Sequence, residues 1–156
     1  MEHFFKALTS GCGDDALPEG ADLFGKLIGS WSIDYIDTGS SRSIKGEWHF
    51  ARVLGGMAVQ DVILLPGFEC GTTLRVYVPG TGAWEIAYCF AGKIMRLTAK
   101  KEGGRIVLTS HEDERRKWVF VKIEDDRFHW QDVTVRDGGE WHVEFDLHAQ
   151  RMTGAV

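Results

Sequence analysis

The sequence predicts an all-β fold: a single antiparallel up-and-down β-barrel of about ten strands, preceded by a short N-terminal helical cap. Three observations carry that prediction. From Trp31 onward the apolar residues recur with period two rather than with the helical period. Turn signals return about every 8 to 12 residues. No helix of ordinary length interrupts the series, and a long meander removes its own edges by closing on itself.

Taken in order, residues 3–9 place Phe4, Phe5 and Leu8 at helical spacing and predict a short helix packed on the body. Residues 11–20, with their glycines, Pro18 and the paired Asp14 and Asp15, read as a loose connection. Between 21 and 28, Leu23, Phe24, Leu27 and Ile28 share one helical face, so a single helical or 3₁₀ turn covers one barrel mouth. Trp31, Ile33 and Tyr35 then alternate with Ser32 and Asp34 until a polar loop at 37–41. Strands follow at 43–53, 57–65, 70–78, 83–90, 94–100, 105–111, 117–123, 127–136 and 141–149. Between them stand turn sequences such as Gly55-Gly56, Pro79-Gly80-Thr81-Gly82 and Asp137-Gly138-Gly139. The chain thus divides into a helix and connection, 1–20, and a barrel domain, 21–156.

A chain of 156 residues is most simply one domain with a core that needs no staples. Its formal charge of -5, with no dominant Lys/Arg cluster, argues against a nucleic-acid partner. The one basic run, Arg115-Arg116-Lys117, directly follows Glu112-Asp113-Glu114 and is offset by it. Cys12, Cys70 and Cys89 form an odd set without metal-type spacing, which predicts reduced thiols, a Cys70–Cys89 bridge being the alternative. The N-terminus lacks a signal-peptide pattern, and no apolar run approaches the ~20 residues that span a bilayer. A cytoplasmic protein with no membrane partner is expected. Six tryptophans are too many to leave in water and imply an aromatic core or cavity wall.

The short turn, Gly29-Ser30-Trp31 opening the first strand, and the meander after it resemble the lipocalin and calycin class of ligand-binding barrels. More narrowly, the corner Arg52-Val53-Leu54-Gly55-Gly56, and Leu74-Arg75-Val76-Tyr77 running into Pro79-Gly80-Thr81-Gly82-Ala83-Trp84, resemble a bacterial family of uncharacterised lipocalin-like proteins. The resemblance covers residues 22–151. It implies that Trp31 plugs the closed end of the barrel and that Arg151 stacks on it through a cation-π contact. It implies architecture more than ligand.

Inside such a barrel, charged residues on otherwise apolar strand faces mark the place where a ligand is held, because they cost free energy unless paired. Arg52 shares a face with Trp48 and Phe50, Asp61 with Val59 and Ile63, Arg96 with Ile94, and Asp132 with Phe128 and Trp130. With aromatic walls from Trp48, Trp84 and Trp130 and hydroxyls from Tyr35 and Tyr88, these residues predict a cup for a small, partly apolar or anionic ligand. The competing reading pairs Arg52 and Arg96 with Asp61 and Asp132 as internal ion pairs, or leaves them at the rims. A bulge at Gly46 or Gly71 would change which side chains face the lumen.

Histidines raise a metal or haem reading. His142, Glu144, Asp146 and His148 share one face of the last strand, but the two histidines lie about 20 Å apart, too far for one ion, and the row reads as a solvated outer face. No metal is expected. Small haem-binding barrels of the nitrobindin type, which the chain also resembles, place an axial histidine near the C-terminus; His148, His142 or His129 would be that ligand here, although each lies opposite an apolar face. Haem is therefore the alternative to a barrel without cofactor. No nucleophile elbow, metalloprotease motif or phosphate loop is present. Asp61 or Asp132 with an arginine would suit isomerase or decarboxylase chemistry. A third alternative is a homodimer through the strand at 115–123, where Trp118 and Phe120 alternate with Val119 and Val121; the N-terminal helix lying across that strand is the other way to cover it.

Overall fold

The computed structural model describes residues 1–13 and 16–154, so Asp14 and Asp15 of the expected connection lie outside the described residues. Each strand pairs antiparallel with its neighbour in sequence, and β1 (Gly29–Asp37) pairs with β10 (Trp141–Arg151) to close the cylinder. Between them run β2 (Ser43–Val53), β3 (Ala58–Leu65), β4 (Glu69–Val78), β5 (Ala83–Phe90), β6 (Lys93–Glu102), β7 (Arg105–Ser110), β8 (Arg116–Ile123) and β9 (Arg127–Val135). This is the expected barrel, with strand ends displaced by at most about two residues. Helix α1 (Glu2–Thr9) rests against β2 and the turn after it, leaving Phe4 and Phe5 largely exposed. Among the described residues no helix is long and apolar enough to cross a membrane.

One end of the barrel is sealed by the segment leading into β1. The 3₁₀ turn Gly25–Leu27 brings Phe24 and Leu27 to complete burial, as the helical spacing of those residues requires. Trp31, also fully buried, donates its indole N–H to the Leu27 carbonyl at 2.8 Å and meets Phe128 edge-on at 4.7 Å. Over its ring lies Arg151, 4.2 Å from the centroid. That guanidinium also donates to the carbonyls of Asp125 at 2.6 Å, Ile28 at 2.8 Å and Lys26 at 2.8 Å. Gly29 is required at this point: its φ is +130°, and a Cβ there would lie 2.5 Å from the Arg151 Nη1. The latch implied by the resemblance is thus present, with three backbone acceptors added to the aromatic contact.

The outer wall holds a second, smaller apolar cluster. Val107, Val119 and Val133, on the outward faces of β7, β8 and β9, are buried by Val121, Val143 and Trp141. The Arg105 guanidinium lies 4.9 Å from the centroid of the Trp141 ring and finishes the cover. The two apolar faces of β8 are accounted for within one chain: Trp118 and Phe120 face the lumen, the valines face this cluster, and α1 lies elsewhere. A dimer sheet built on exposed Trp118 and Phe120 is therefore corrected.

Gly46 and Gly71 sit in regular register, and the bulges fall instead at Val121 in β8 and Glu144 in β10. The extra residue at 144 reverses the phase of β10. Trp141 and Val143 consequently point outward with the later His148, and the expected alternation of one polar and one apolar face along the whole strand is broken.

Candidate functional site

The open half of the barrel encloses a cavity of about 280 Å³. Its walls are aromatic: Trp48, Trp118, Trp130, Tyr35, Tyr88 and Phe145 all contribute. Tyr35 stacks on Phe145 at 4.8 Å, Tyr88 stacks on Phe90 at 4.8 Å, and Trp118 meets Tyr88 edge-on at 5.2 Å, so each ring is held by another.

Two ion pairs set the electrostatics. Low in the cup, Asp61 and Arg75 on adjacent strands pair while both are almost completely buried. The guanidinium is also held between the rings of Phe24 and Phe50, whose centroids lie 5.1 and 5.3 Å away. Toward the mouth, the half-exposed Arg116 donates to the Asp132 Oδ2 at 2.9 Å. Burial pushes the Asp132 carboxyl above the usual range, and Arg116 opposes that shift without cancelling it. Burial likewise pushes the Tyr35 and Tyr88 phenols far up; the carboxylates of Asp132 and Glu69 reinforce the shift at Tyr35, and a hydrogen bond to Glu69 does so at Tyr88. Both phenols remain donors at neutral pH, and Tyr88 donates to Glu69 Oε2 at 2.6 Å.

Several buried polar atoms have no protein partner: the indole N–H of Trp48, the Nε of Arg75 and one oxygen of Asp61. Trp48 and Arg75 line the cavity, as does Trp118, whose indole is set beside the Asp132 carboxylate by the register of β8 and β9. A buried donor without an acceptor costs about 1–3 kcal/mol, so an occupant bearing acceptor atoms would recover part of that cost.

Of the residues the sequence singled out, Tyr35, Trp48, Tyr88, Trp130 and Asp132 line the cavity, and Asp61 lies behind Arg75, its partner in the cavity wall. Three placements are corrected. Arg52 has the inward phase of Trp48 and Phe50, yet it stands at the sealed end and pairs with Asp22 at 2.7 Å, half in water. Arg96 is exposed on the outer face of β6 with Ile94, because Met95, Leu97 and Ala99 are the residues of that strand that turn inward. Trp84 is buried at the sealed end, edge-on to Phe24 and donating to the Ala21 carbonyl at 2.8 Å.

Arg75 and Arg116, the actual partners of Asp61 and Asp132, and Glu69 were not singled out from the sequence. The available signal was the polar row Thr73, Arg75, Tyr77 in β4. It was masked by the more apolar row Leu74 and Val76, which faces out and stays partly exposed.

Among the described residues no histidine lines the cavity: His129 and His148 lie on the outer wall, and His142 pairs across to Thr134 with its Nε2 3.8 Å from Glu144.

No protein-family model matches this sequence, and no curated protein is recognisably similar to it. Among solved structures, Rv2717c from M. tuberculosis is similar with a TM-score of 0.53 at 15% identity, over 88% of this chain and 100% of that one. A redesigned beta barrel matches with a TM-score of 0.41 at 12% identity, over 89% of this chain and all 100% of its own. At such identities the likeness to Rv2717c is one of fold, and what this chain shares with it is the closed antiparallel barrel.

Proposed function

We propose that the protein is a lipocalin-like binding barrel that holds a small, partly apolar ligand in its cup. The observation that carries this reading is the unpartnered indole donor of Trp48, facing an aromatic cavity of about 280 Å³. That volume lies near the lower end of the range for small-molecule sites, so the ligand is compact. Its flat apolar body packs among the tryptophans, and its carbonyl, carboxylate or sulfonate oxygens accept from the Trp48 indole and the arginines.

The test is a fluorescence titration with anilinonaphthalene sulfonate, an aromatic anion, beside native mass spectrometry of protein taken directly from cells. Trp48→Phe keeps an aromatic ring and removes the indole donor, and should weaken probe binding by roughly 5- to 10-fold. Binding unchanged in Trp48→Phe would overturn the reading. A second reading, proton transfer to a bound substrate, draws on Asp132, a buried carboxylate with a raised pKa at the cavity wall beside Arg116. Any turnover found should vanish in Asp132→Asn, and turnover that survives there removes this reading.

A further inference from the structure

The outer wall between β9 and β10 brings together three side chains that are scattered in sequence. Asp146 and His148 are two residues apart on the outward face of β10, beyond the Glu144 bulge, and the register sets His129 of β9 directly opposite His148. Both imidazoles direct Nε2 at one carboxylate: His129 Nε2 lies 2.5 Å from Asp146 Oδ1, and His148 Nε2 lies 3.0 Å from Oδ2. The two rings stack at 4.5 Å with 9° between their planes. The donor atoms of all three residues lie within 4.8 Å of one another.

We infer that His129, Asp146 and His148 form a binding site for a divalent transition-metal ion of the zinc class. Such an ion takes imidazole nitrogen and carboxylate oxygen at about 2.0–2.2 Å, so a tetrahedral arrangement needs the donors roughly 3.4 Å apart. The His129–Asp146 and Asp146–His148 separations, 2.5 and 3.0 Å, are hydrogen-bond distances shorter than that value, so an ion entering between them replaces those bonds and opens them by roughly 0.4–0.9 Å. A wider separation within the trio, at most 4.8 Å, closes by up to about 1.4 Å through rotation of His148, whose side chain is 56% exposed and gives up its contact with the Asp146 carboxylate as the ion enters. His129 and Asp146 are more enclosed, at 29% and 25% exposure, and supply the fixed part of the site.

Gln131, opposite Asp146 in the register, donates to the carboxylate Oδ1 at 3.1 Å and fixes its orientation, the usual task of a residue behind a metal ligand. Three protein donors leave a coordination position open. A groove of about 550 Å³ runs past His129 and His148 and is lined by Asp34, Lys45, Lys122 and Arg127, so water or an acidic group on a small molecule can complete the shell. Asp34, the neighbour of His148 across β1, is engaged by Lys45. The histidine separation along β10 that argued against a metal involved His142; the cross-strand partner is what makes the cluster.

The experiment uses the full chain without an affinity tag. Zn²⁺ alone is titrated by calorimetry, and Co²⁺ is followed by its d–d absorption, whose intensity reports four-coordination. One ion per chain with a dissociation constant at or below about 10 µM is expected. His129→Ala and His148→Ala should each weaken it by at least ~10-fold, and Gln131→Ala by about 10-fold. His142→Ala should leave it unchanged.

Because a β9 variant can fail to fold, the unmodified protein is also examined by NMR. Zn²⁺ should perturb the imidazole signals of His129 and His148 and spare those of His49 and His111. No binding at about 100 µM Zn²⁺, binding that persists in the His129→Ala/His148→Ala double variant, or perturbation of other imidazoles instead would each overturn the site.

Discussion

Gly71 stands on the inward side of β4, opposite Phe90, and the ring of Tyr88 lies against its backbone. A Cβ added there would meet the Tyr88 hydroxyl at 2.5 Å, Cε2 at 2.6 Å and Cζ at 2.7 Å. Ordinary contacts between such atoms are about 3.5–4.0 Å, so Gly71→Ala forces the ring aside by roughly an ångström. Tyr88 has little freedom to yield, since it stacks on Phe90, meets Trp118 edge-on and donates to Glu69.

Overpacking of this kind costs about 1–3 kcal/mol, and stretching the hydrogen bond to a carboxylate adds to the same range. For a chain of this length the melting temperature should fall by roughly 3–10 °C. Urea denaturation of Gly71→Ala gives the free energy directly. Gly80→Ala is the control, because a Cβ there meets nothing within 4 Å. Adding Tyr88→Phe removes the atom at 2.5 Å, and the double variant should recover part of the loss, a coupling of about 0.5 kcal/mol or more. A Gly71→Ala protein within about 0.5 kcal/mol of the parent would refute the close approach as a determinant of the cup.

Three further outcomes are expected. Arg151→Ala removes three side-chain hydrogen bonds and the cover of Trp31 and should cost about 2–4 kcal/mol in urea, with an unchanged midpoint ruling out the latch. Removing either partner of the buried pair, by Asp61→Ala or Arg75→Ala, should cost about 3–5 kcal/mol, whereas Asp61→Leu with Arg75→Met should cost less than either single change; a simple sum of the two losses would contradict the pairing. Burial raises the Asp132 carboxyl, so the folded chain holds that proton more tightly than the unfolded one, and the associated stability is present at low pH and lost as pH rises through the raised value. Between about pH 4 and about pH 7 the stability difference should therefore move in favour of Asp132→Asn, and a difference independent of pH would show that Asp132 is not shifted.

The barrel itself was legible because its determinants are local. Alternation with period two and turns with glycine, proline and aspartate define each hairpin from the residues within it, and hairpins in sequence order define the meander. The lumen was less legible because its determinants lie across strands. In β4 the apolar row Leu74 and Val76 faces out while Thr73 and Arg75 face in, an inversion that becomes favourable only because Asp61 waits on β3. In β10 the phase changes at Glu144, a residue whose sequence context contains no glycine or proline to announce a bulge. Arg116 was lost in the basic run Arg115-Arg116-Lys117, whose charge the preceding Glu112-Asp113-Glu114 offsets, although it is the first residue of β8 and reaches Asp132 from there. The trio His129, Asp146 and His148 required the β9–β10 register, which no stretch of either strand contains by itself.

The seam between β1 and β10 has a consequence for how the molecule is made. Every other pairing joins strands that are neighbours in sequence, so the sheet can grow by successive hairpins with small loop entropy. The seam alone pairs Trp31 with Arg151, and it cannot form until the last strand is available. A chain emerging from the ribosome therefore passes through an open sheet with two bare edges, and its exposure to edge-to-edge association ends when Arg151 reaches the turn at Lys26 and Ile28.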